Sequence, residues 1–240
     1  MNIVKYIPNT ITSMNLLCGV LGVIATFSGR LDAAFCLMLA AAVCDFLDGF
    51  SARLLKAYSD IGKELDSLSD MISFGVLPSL MMYSLVNQMN PGSWLRFAPL
   101  AVAVFSGLRL AKFNVDERQT ESFIGLATPS CAILCGSLAY YVTKCPQSTL
   151  AAWAGLKWSI PVISVILSAL LVSEIPMFSF KFGGKKASDS KMKTKRIAML
   201  IASALVIATV AVLKLNWSLA VLLICTVYII KNCIYAVFKV

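Results

Sequence analysis

Long apolar runs fill most of this chain and restrict it to one class of fold. Hydrophobic residues make up 59% of the sequence and charged residues 14%. A bilayer core has no water to pair with backbone N–H and C=O groups, so helices, which pair these groups internally, are the form such runs take. We therefore predict an all-α fold, a polytopic membrane helical bundle with about eight transmembrane helices. The predicted spans are residues 11–27, 31–55, 65–86, 94–113, 129–142, 151–172, 197–213 and 217–238.

Basic residues concentrate on one side of this arrangement. The richest segment, residues 177–196, contains many lysines and a single acid, Asp189, and the positive-inside rule assigns it to the cytoplasm together with both termini. Its partner there is anionic membrane lipid, so the net charge of +9 does not indicate nucleic-acid binding. We expect no cleaved signal peptide, a six-helix membrane domain at residues 1–176, a basic cytoplasmic loop at 177–196, and two further spans at 197–240.

Four aspartates interrupt the apolar sequence around the predicted second and third spans. They belong to the pattern D-x2-D-G-x2-A-R-x8-G-x3-D-x3-D, which is formed by Asp45, Asp48, Gly49, Ala52, Arg53, Gly62, Asp66 and Asp70. At 3.6 residues per turn, the first two aspartates share one helix face and the last two share another. A carboxylate near the centre of a spanning helix costs about 2.5–3.5 kcal/mol, and converging carboxylates repel unless protons or cations lie between them. The pattern predicts a site for one or two hard divalent cations.

The remaining residues of the pattern suit a phosphate-bearing ligand. Gly49 and Gly62 leave space beside the acids, and the guanidinium fork of Arg53 matches phosphate oxygens. These features favour a nucleotide or diphosphate substrate. The alternative interpretation is that the acids are ordinary helix-end charges paired with Arg53, Lys56 and Lys63. The chain has no histidine, which excludes histidine acid–base chemistry, and no C-x2-C pair that would indicate a zinc site.

The complete pattern resembles the signature of the CDP-alcohol phosphatidyltransferase family at every position. The resemblance implies two divalent ions, Mg²⁺ or Mn²⁺, held by the four aspartates, and it implies that Asp70 is also the general base that deprotonates the incoming alcohol. It further implies a homodimer. The residues implied to contact CDP-diacylglycerol are Asp48, Gly49, Ala52, Arg53 and Gly62.

Sequences flanking the signature resemble one branch of that family, the membrane-spanning bacterial phosphatidylserine synthases. The similar segments lie within residues 5–130 and include residues 7–12, 65–70, 73–78 and 107–114. The resemblance implies transfer of a phosphatidyl group from CDP-diacylglycerol to L-serine with release of CMP, at the cytoplasmic face of the inner membrane. The residues predicted to form the serine pocket are Asn15, Ser67, Ser73 and Arg109.

Several alternatives stay open at this point. Arg109 either binds an anionic group or extends to the lipid headgroups, and residues 123–129 form either a re-entrant loop or the start of a helix with proline in its first turn. Glycerol 3-phosphate and an inositol phosphate are the alternative acceptors within the family. A cation-coupled transporter is the alternative from another functional class.

Overall fold

The computed structural model describes residues 6–115, 123–177 and 190–238, and these residues are almost entirely helical. In chain order the elements are α1 Ile7–Phe27, α2 Leu31–Leu54, α3 Asp60–Asp70, a π-helical segment Met71–Val76, α4 Leu77–Met89, a 3₁₀ turn Trp94–Phe97, α5 Leu100–Val115, β1 Phe123–Ile124, α6 Thr128–Lys144, α7 Thr149–Ala154, α8 Ser159–Val172, β2 Pro176–Met177, α9 Ser190–Val212 and α10 Trp217–Phe238. β1 and β2 form one short antiparallel pair. The all-α prediction is confirmed.

Within residues 6–115, 123–177 and 190–238, five helical stretches are long and apolar enough to cross a membrane. They are Ile7–Phe27, Leu31–Leu54, Asp60–Met89, Trp94–Val115 and Trp217–Tyr235. Large apolar side chains such as Phe27 and Leu54 are exposed on the outside of the bundle, whereas many serines are buried inside it. An apolar exterior is stable in lipid, and a buried serine hydroxyl such as that of Ser164 bonds to a carbonyl of its own helix. The protein is an integral membrane protein.

α1 packs into the bundle through a stripe of small and polar residues. The buried members of this stripe are Pro8, Thr12, Asn15, Gly19, Gly22 and Thr26. A Cβ atom at Gly19 would collide with Ser73 of the π-helical segment, and one at Gly22 would collide with Leu77 of α4. Small residues therefore let α1 lie close against the third span, as they do at many helix interfaces in membranes.

The third span is one continuous helical rod in three parts, α3, the π-helical segment and α4. A π-helical turn bonds each residue to the one five positions earlier and so accommodates an extra residue. It begins at Met71, directly after Asp70. The directions in which α3 and α4 present their side chains, relative to each other, therefore differ from those in an uninterrupted α-helix.

Several predicted span boundaries differ from the structure. α1 begins at Ile7 and not at residue 11, because Pro8 fits the first helical turn. The third span runs Asp60–Met89 and not 65–86. The predicted span 151–172 is divided into α7 and α8, since Pro161 cannot donate an N–H to an earlier turn and clashes with the preceding backbone. Pro99 separates the 3₁₀ turn from α5 in the same way. α9 begins at Ser190 and not near residue 197; residues 178–189 of the predicted basic loop lie outside the described residues.

The C-terminal helix α10 packs against α6 and α2 through aromatic rings. The ring of Trp217 stacks on Phe35 of α2 with a centroid separation of 5.7 Å, and it lies 5.1 Å from Tyr140 of α6. α9 contacts the rest of the described chain mainly through α10. The hairpin of α9 and α10 therefore joins the bundle by its second helix.

Candidate active site

Three of the four signature aspartates converge where α2 and α3 meet. Asp45 and Asp48 lie one turn apart near the end of α2, and Asp66 lies on α3. One carboxylate oxygen from each residue lies within 4.8 Å of those of the other two. The structure thus brings these side chains together from two different helices, although their charges repel.

The properties of this cluster fit a divalent cation. Oδ2 of Asp48 and Oδ1 of Asp66 are buried and have no hydrogen-bond partner. Among the described residues, Arg53, Lys56 and Lys63 form no ion pair with these acids, so the interpretation as paired helix-end charges is not supported. Buried carboxylates without a cation would be strongly unfavourable. Anionic oxygen donors are the ligands that Mg²⁺ and Mn²⁺ prefer.

Asp70 lies one turn after Asp66 and is held by α1. Its Oδ1 accepts a hydrogen bond from Nδ2 of Asn15 at 3.4 Å. The cluster of three mutually close carboxylates does not include Asp70. Asp70 therefore lies just outside this group, although the charges of Asp45, Asp48 and Asp66 are close enough to act on its carboxylate.

A cavity of about 210 Å³ adjoins the aspartates. It lies between the first turns of α1, the end of α2, the connection at residues 55–59 and the first turns of α3. Five signature residues line it, namely Asp48, Gly49, Ala52, Gly62 and Asp66. The cavity therefore places open space next to the carboxylates of Asp48 and Asp66.

The two signature glycines are needed for different reasons. A Cβ atom at Gly49 would meet no other atom of the protein within 4 Å, so the space it would occupy is open. A Cβ atom at Gly62 would lie 2.7 Å from Oδ1 of Asn9 and 2.9 Å from Oγ of Ser59. Gly49 keeps the cavity clear, whereas Gly62 also allows α1 and α3 to pack closely.

Arg53 is exposed and does not line the cavity. Its Nε donates a hydrogen bond of 2.8 Å to the backbone carbonyl of Gly49, one turn earlier. This bond places the arginine beside the cavity, at the same helix face as Gly49.

Residues that were not predicted to belong to the site also line the cavity. Outside the signature, its wall includes Asn9, Thr12, Tyr58, Ser59 and Lys63. Ser59 is the N-cap of α3, and its Oγ accepts the N–H of Gly62 at 3.0 Å. Tyr58 precedes this cap, where an apolar residue usually packs on the fourth helical residue, but here that residue is Lys63. Lys63 in place of an apolar residue is the sequence signal that the Tyr58 ring is not packed on α3 and stays exposed.

Three predicted serine-pocket residues are engaged within the protein. Asn15 is completely buried, and the hydroxyl of Ser73, also completely buried, donates to the Asn15 carbonyl at 3.1 Å. Ser67 donates to the carbonyl of Lys63 and accepts a hydrogen bond of 2.9 Å from Asn114. These side chains connect α1, α3 and α5 around Asp70.

Arg109, the fourth predicted pocket residue, is buried on α5 and does not extend to the headgroups. It is 8% exposed, and its Nη1 donates to Oγ1 of Thr128 at 2.9 Å. Thr128 begins α6 with Pro129 in the first turn, which confirms the helix-start interpretation of this segment. Gly125 precedes it with φ of +78°, and any Cβ there would lie 2.6 Å from the carbonyl of Leu171.

Comparison with known proteins gives a match over the part of the chain that contains the signature residues. The family model described as CDP-alcohol phosphatidyltransferase matches residues 5–170. A CDP-diacylglycerol–serine O-phosphatidyltransferase of Bacillus subtilis is 37% identical over 125 residues, which cover 52% of this chain and 70% of that protein. One of Mycobacterium bovis is 32% identical over 232 residues, covering 92% of this chain and 76% of the relative. An archaetidylserine synthase of Methanothermobacter thermautotrophicus is 34% identical over 163 residues, covering 67% of this chain and 68% of the relative.

Proposed function

Because the chain belongs to the CDP-alcohol phosphatidyltransferase family, we propose that it transfers the phosphatidyl group of CDP-diacylglycerol to the hydroxyl of L-serine and releases CMP. The observation that carries this proposal is the similarity over 92% of the chain to a relative named for the same reaction. The chain is accordingly a transferase of phospholipid synthesis. Its catalytic unit is residues 1–176, to which the basic loop 177–196 and the spans 197–240 are appended.

The cavity beside the aspartates suits the nucleotide part of the donor. Asp48, Gly49, Ala52 and Gly62 supply a wall with few side-chain atoms, and Arg53 lies next to Gly49 where it can reach a phosphate oxygen. The ring of Tyr58, which is 68% exposed, offers a flat face to the cytosine base. The acyl chains of the donor remain in the bilayer along the apolar exterior.

Asp45, Asp48, Asp66 and Asp70 would hold two divalent ions, Mg²⁺ or Mn²⁺. When bound, such ions neutralise the diphosphate and favour attack on its phosphorus. The unpartnered oxygens of Asp48 and Asp66 support this assignment.

Asp70 accepts the proton of the serine hydroxyl while that oxygen attacks the lipid-side phosphorus. A new bond forms between the serine oxygen and phosphorus, and the bond between phosphorus and the CMP oxygen breaks, with the electron pair leaving on CMP. Direct displacement of this kind needs no covalent intermediate with the protein. Asn15 holds the Asp70 carboxylate in one orientation during the proton transfer.

We infer that the enzyme lies in the inner membrane with its active site toward the cytoplasm, and that it functions as a homodimer. The concentration of lysine at residues 177–196 supports the orientation. The dimer is an expectation from the family resemblance alone, and the mass of the purified protein in detergent tests it.

One incubation separates the proposed reaction from its rivals. Purified protein is supplied with CDP-diacylglycerol, Mg²⁺ or Mn²⁺, and one of serine, glycerol 3-phosphate or inositol phosphate, and the release of CMP is measured. We expect release that depends on serine. Release that depends on another alcohol would identify that alcohol as the acceptor, and ion flux in vesicles without CMP release would favour a transporter.

A further inference from the structure

One face of α5 carries two buried polar side chains with unused hydrogen-bonding atoms. Ser106 and Arg109 lie one turn apart and are 0% and 8% exposed. Oγ of Ser106 and Nε of Arg109 have no hydrogen-bond partner. Arg109 takes part in none of the ion pairs of the described residues, and its guanidinium lies 5.6 Å from the centre of the Phe113 ring. A buried guanidinium that forms no direct ion pair is costly, so this face is suited to an anionic ligand.

The N-terminus of α6, which is the positive end of its helix dipole, lies beside Arg109. α6 has 17 residues, its N-cap is Ala127, and no side chain caps its first turn. Its first residue, Thr128, is fully buried and accepts the hydrogen bond from Arg109. A helix N-terminus attracts anions through its free N–H groups and its dipole. The helix and the arginine therefore favour the same charge.

This face also lies beside the proposed catalytic base. The side chain of Ser106 packs so closely on Gly75 that a Cβ atom there would be 3.1 Å from that of Ser106. Gly75 belongs to the π-helical segment that directly follows Asp70. The guanidinium group of Arg109 is also within electrostatic range of the Asp70 carboxylate. An anion bound here would thus be near the carboxylate that receives the acceptor's proton.

We propose that Ser106, Arg109 and the N-terminus of α6 bind the carboxylate of an amino-acid acceptor beside Asp70. The inference rests on the proposed function and identifies where that acceptor is selected. A single guanidinium matches the single charge of a carboxylate. The nearby Lys112 is exposed and lies 3.9 Å from Glu174, so the buried face holds no second cation from this helix for a doubly charged phosphate.

The first test measures the KM values for serine and for CDP-diacylglycerol in R109K and R109A. We expect the serine KM to rise about tenfold or more while the CDP-diacylglycerol KM stays within about twofold, because a hydrogen bond to a charged group is lost. The matched control is R96A, which removes another partly buried arginine of the same span that bonds to Asn87. Equal increases in both KM values for the Arg109 variants, or the same serine effect in R96A, would overturn the proposal.

The second test uses S106A, which separates binding from folding. The Ser106 hydroxyl has no partner in the protein, so its removal should leave the melting temperature unchanged or higher. We nevertheless expect the serine KM to rise several-fold. A higher melting temperature with an unchanged serine KM would show that the hydroxyl is only an unsatisfied polar group, and it would remove Ser106 from the subsite.

The third test needs no turnover. Serine should raise the melting temperature of the detergent-purified wild type by mass action, and R109K should lose this stabilisation. If the wild type is stabilised by serine yet releases no CMP with it, the proposed reaction is wrong and the carboxylate subsite stands. If serine stabilises wild type and R109K equally, or neither of them, the subsite is wrong.

Discussion

The side-chain amide of Asn15 donates a hydrogen bond to Oδ1 of Asp70 across 3.4 Å, between α1 and the end of α3. Asn15 is fully buried, and its own carbonyl accepts the hydroxyl of Ser73, one turn beyond Asp70. The first span thus holds the third span at two neighbouring positions. This arrangement lets Asn15 orient Asp70, while Oδ1 of Asn15 has no hydrogen-bond partner and the predicted contact with serine stays a prediction.

Replacing Asn15 with alanine should therefore lower kcat by about ten- to a hundredfold and leave the serine KM nearly unchanged, because an interaction with the catalytic base is lost. In the D70N background, N15A should cause little further loss, since the two residues act as one unit. T10A, which removes an exposed hydroxyl bonded within α1, is the control. A raised serine KM in N15A with unchanged kcat would instead show that Asn15 acts by binding serine.

The converging aspartates predict a requirement for metal. D45N, D48N and D66N should each lower CMP release at least a hundredfold, and a chelator should abolish release by the wild type until Mg²⁺ or Mn²⁺ is restored. Mn²⁺ should also raise the melting temperature of the wild type and not of these variants. D32N is the matched control, since Asp32 is on the same helix but pairs with Lys144 at 2.7 Å. Full metal-dependent stabilisation of D48N would contradict the assignment.

The two signature glycines should respond differently to alanine. G49A should fold normally, and its helix should gain up to about 1 kcal/mol of stability, but the new methyl group should raise the KM for CDP-diacylglycerol by entering the cavity. G62A should lower the melting temperature, because its methyl group would collide with Asn9 and Ser59. Thermal unfolding and steady-state kinetics on both variants test this contrast. The opposite order of stabilities would show that the packing argument is wrong.

Removing the ring of Tyr58 should weaken nucleotide binding. Stacking of a base on an aromatic side chain contributes about 1–3 kcal/mol, so Y58A should raise the dissociation constant of CMP by roughly five- to a hundredfold. Y58F should bind CMP like the wild type, because the flat face is kept. Titration of CMP in the presence of Mg²⁺ measures both variants, and unchanged binding by Y58A would place the base elsewhere.

The sequence predicted the helical membrane architecture and the grouping of the acids because both depend on local spacing. Asp45 and Asp48 share a face at helical periodicity, and the apolar runs define most of the long helices. The division of the sixth predicted span was also detectable, since Pro161 lies within it. Pro8 similarly marked the true start of α1.

Other features depend on contacts between distant segments and leave no local signal. The bond between Asn15 and Asp70 joins residues that are 55 positions apart. The π-helical segment, Met71–Val76, is too short to change a hydrophobic periodicity that is read over several turns. The burial of Arg109 required knowing that α6 begins beside it, because an arginine near a helix end usually extends to the headgroups.

The π-helical segment lets one membrane span direct its carboxylates and its apolar side chains independently. Each residue of an α-helix turns the chain by about 100°, so the same residues wound as a regular α-helix, with none removed, would rotate the carboxylate end against the apolar end by about that angle. Either Asp66 and Asp70 would turn away from their present neighbours, or the core-facing side chains of α4 would turn toward lipid. Deleting one residue within Met71–Val76 should let this segment become α-helical with both ends still in register, whereas a deletion within α3 or α4 should rotate one end of the span.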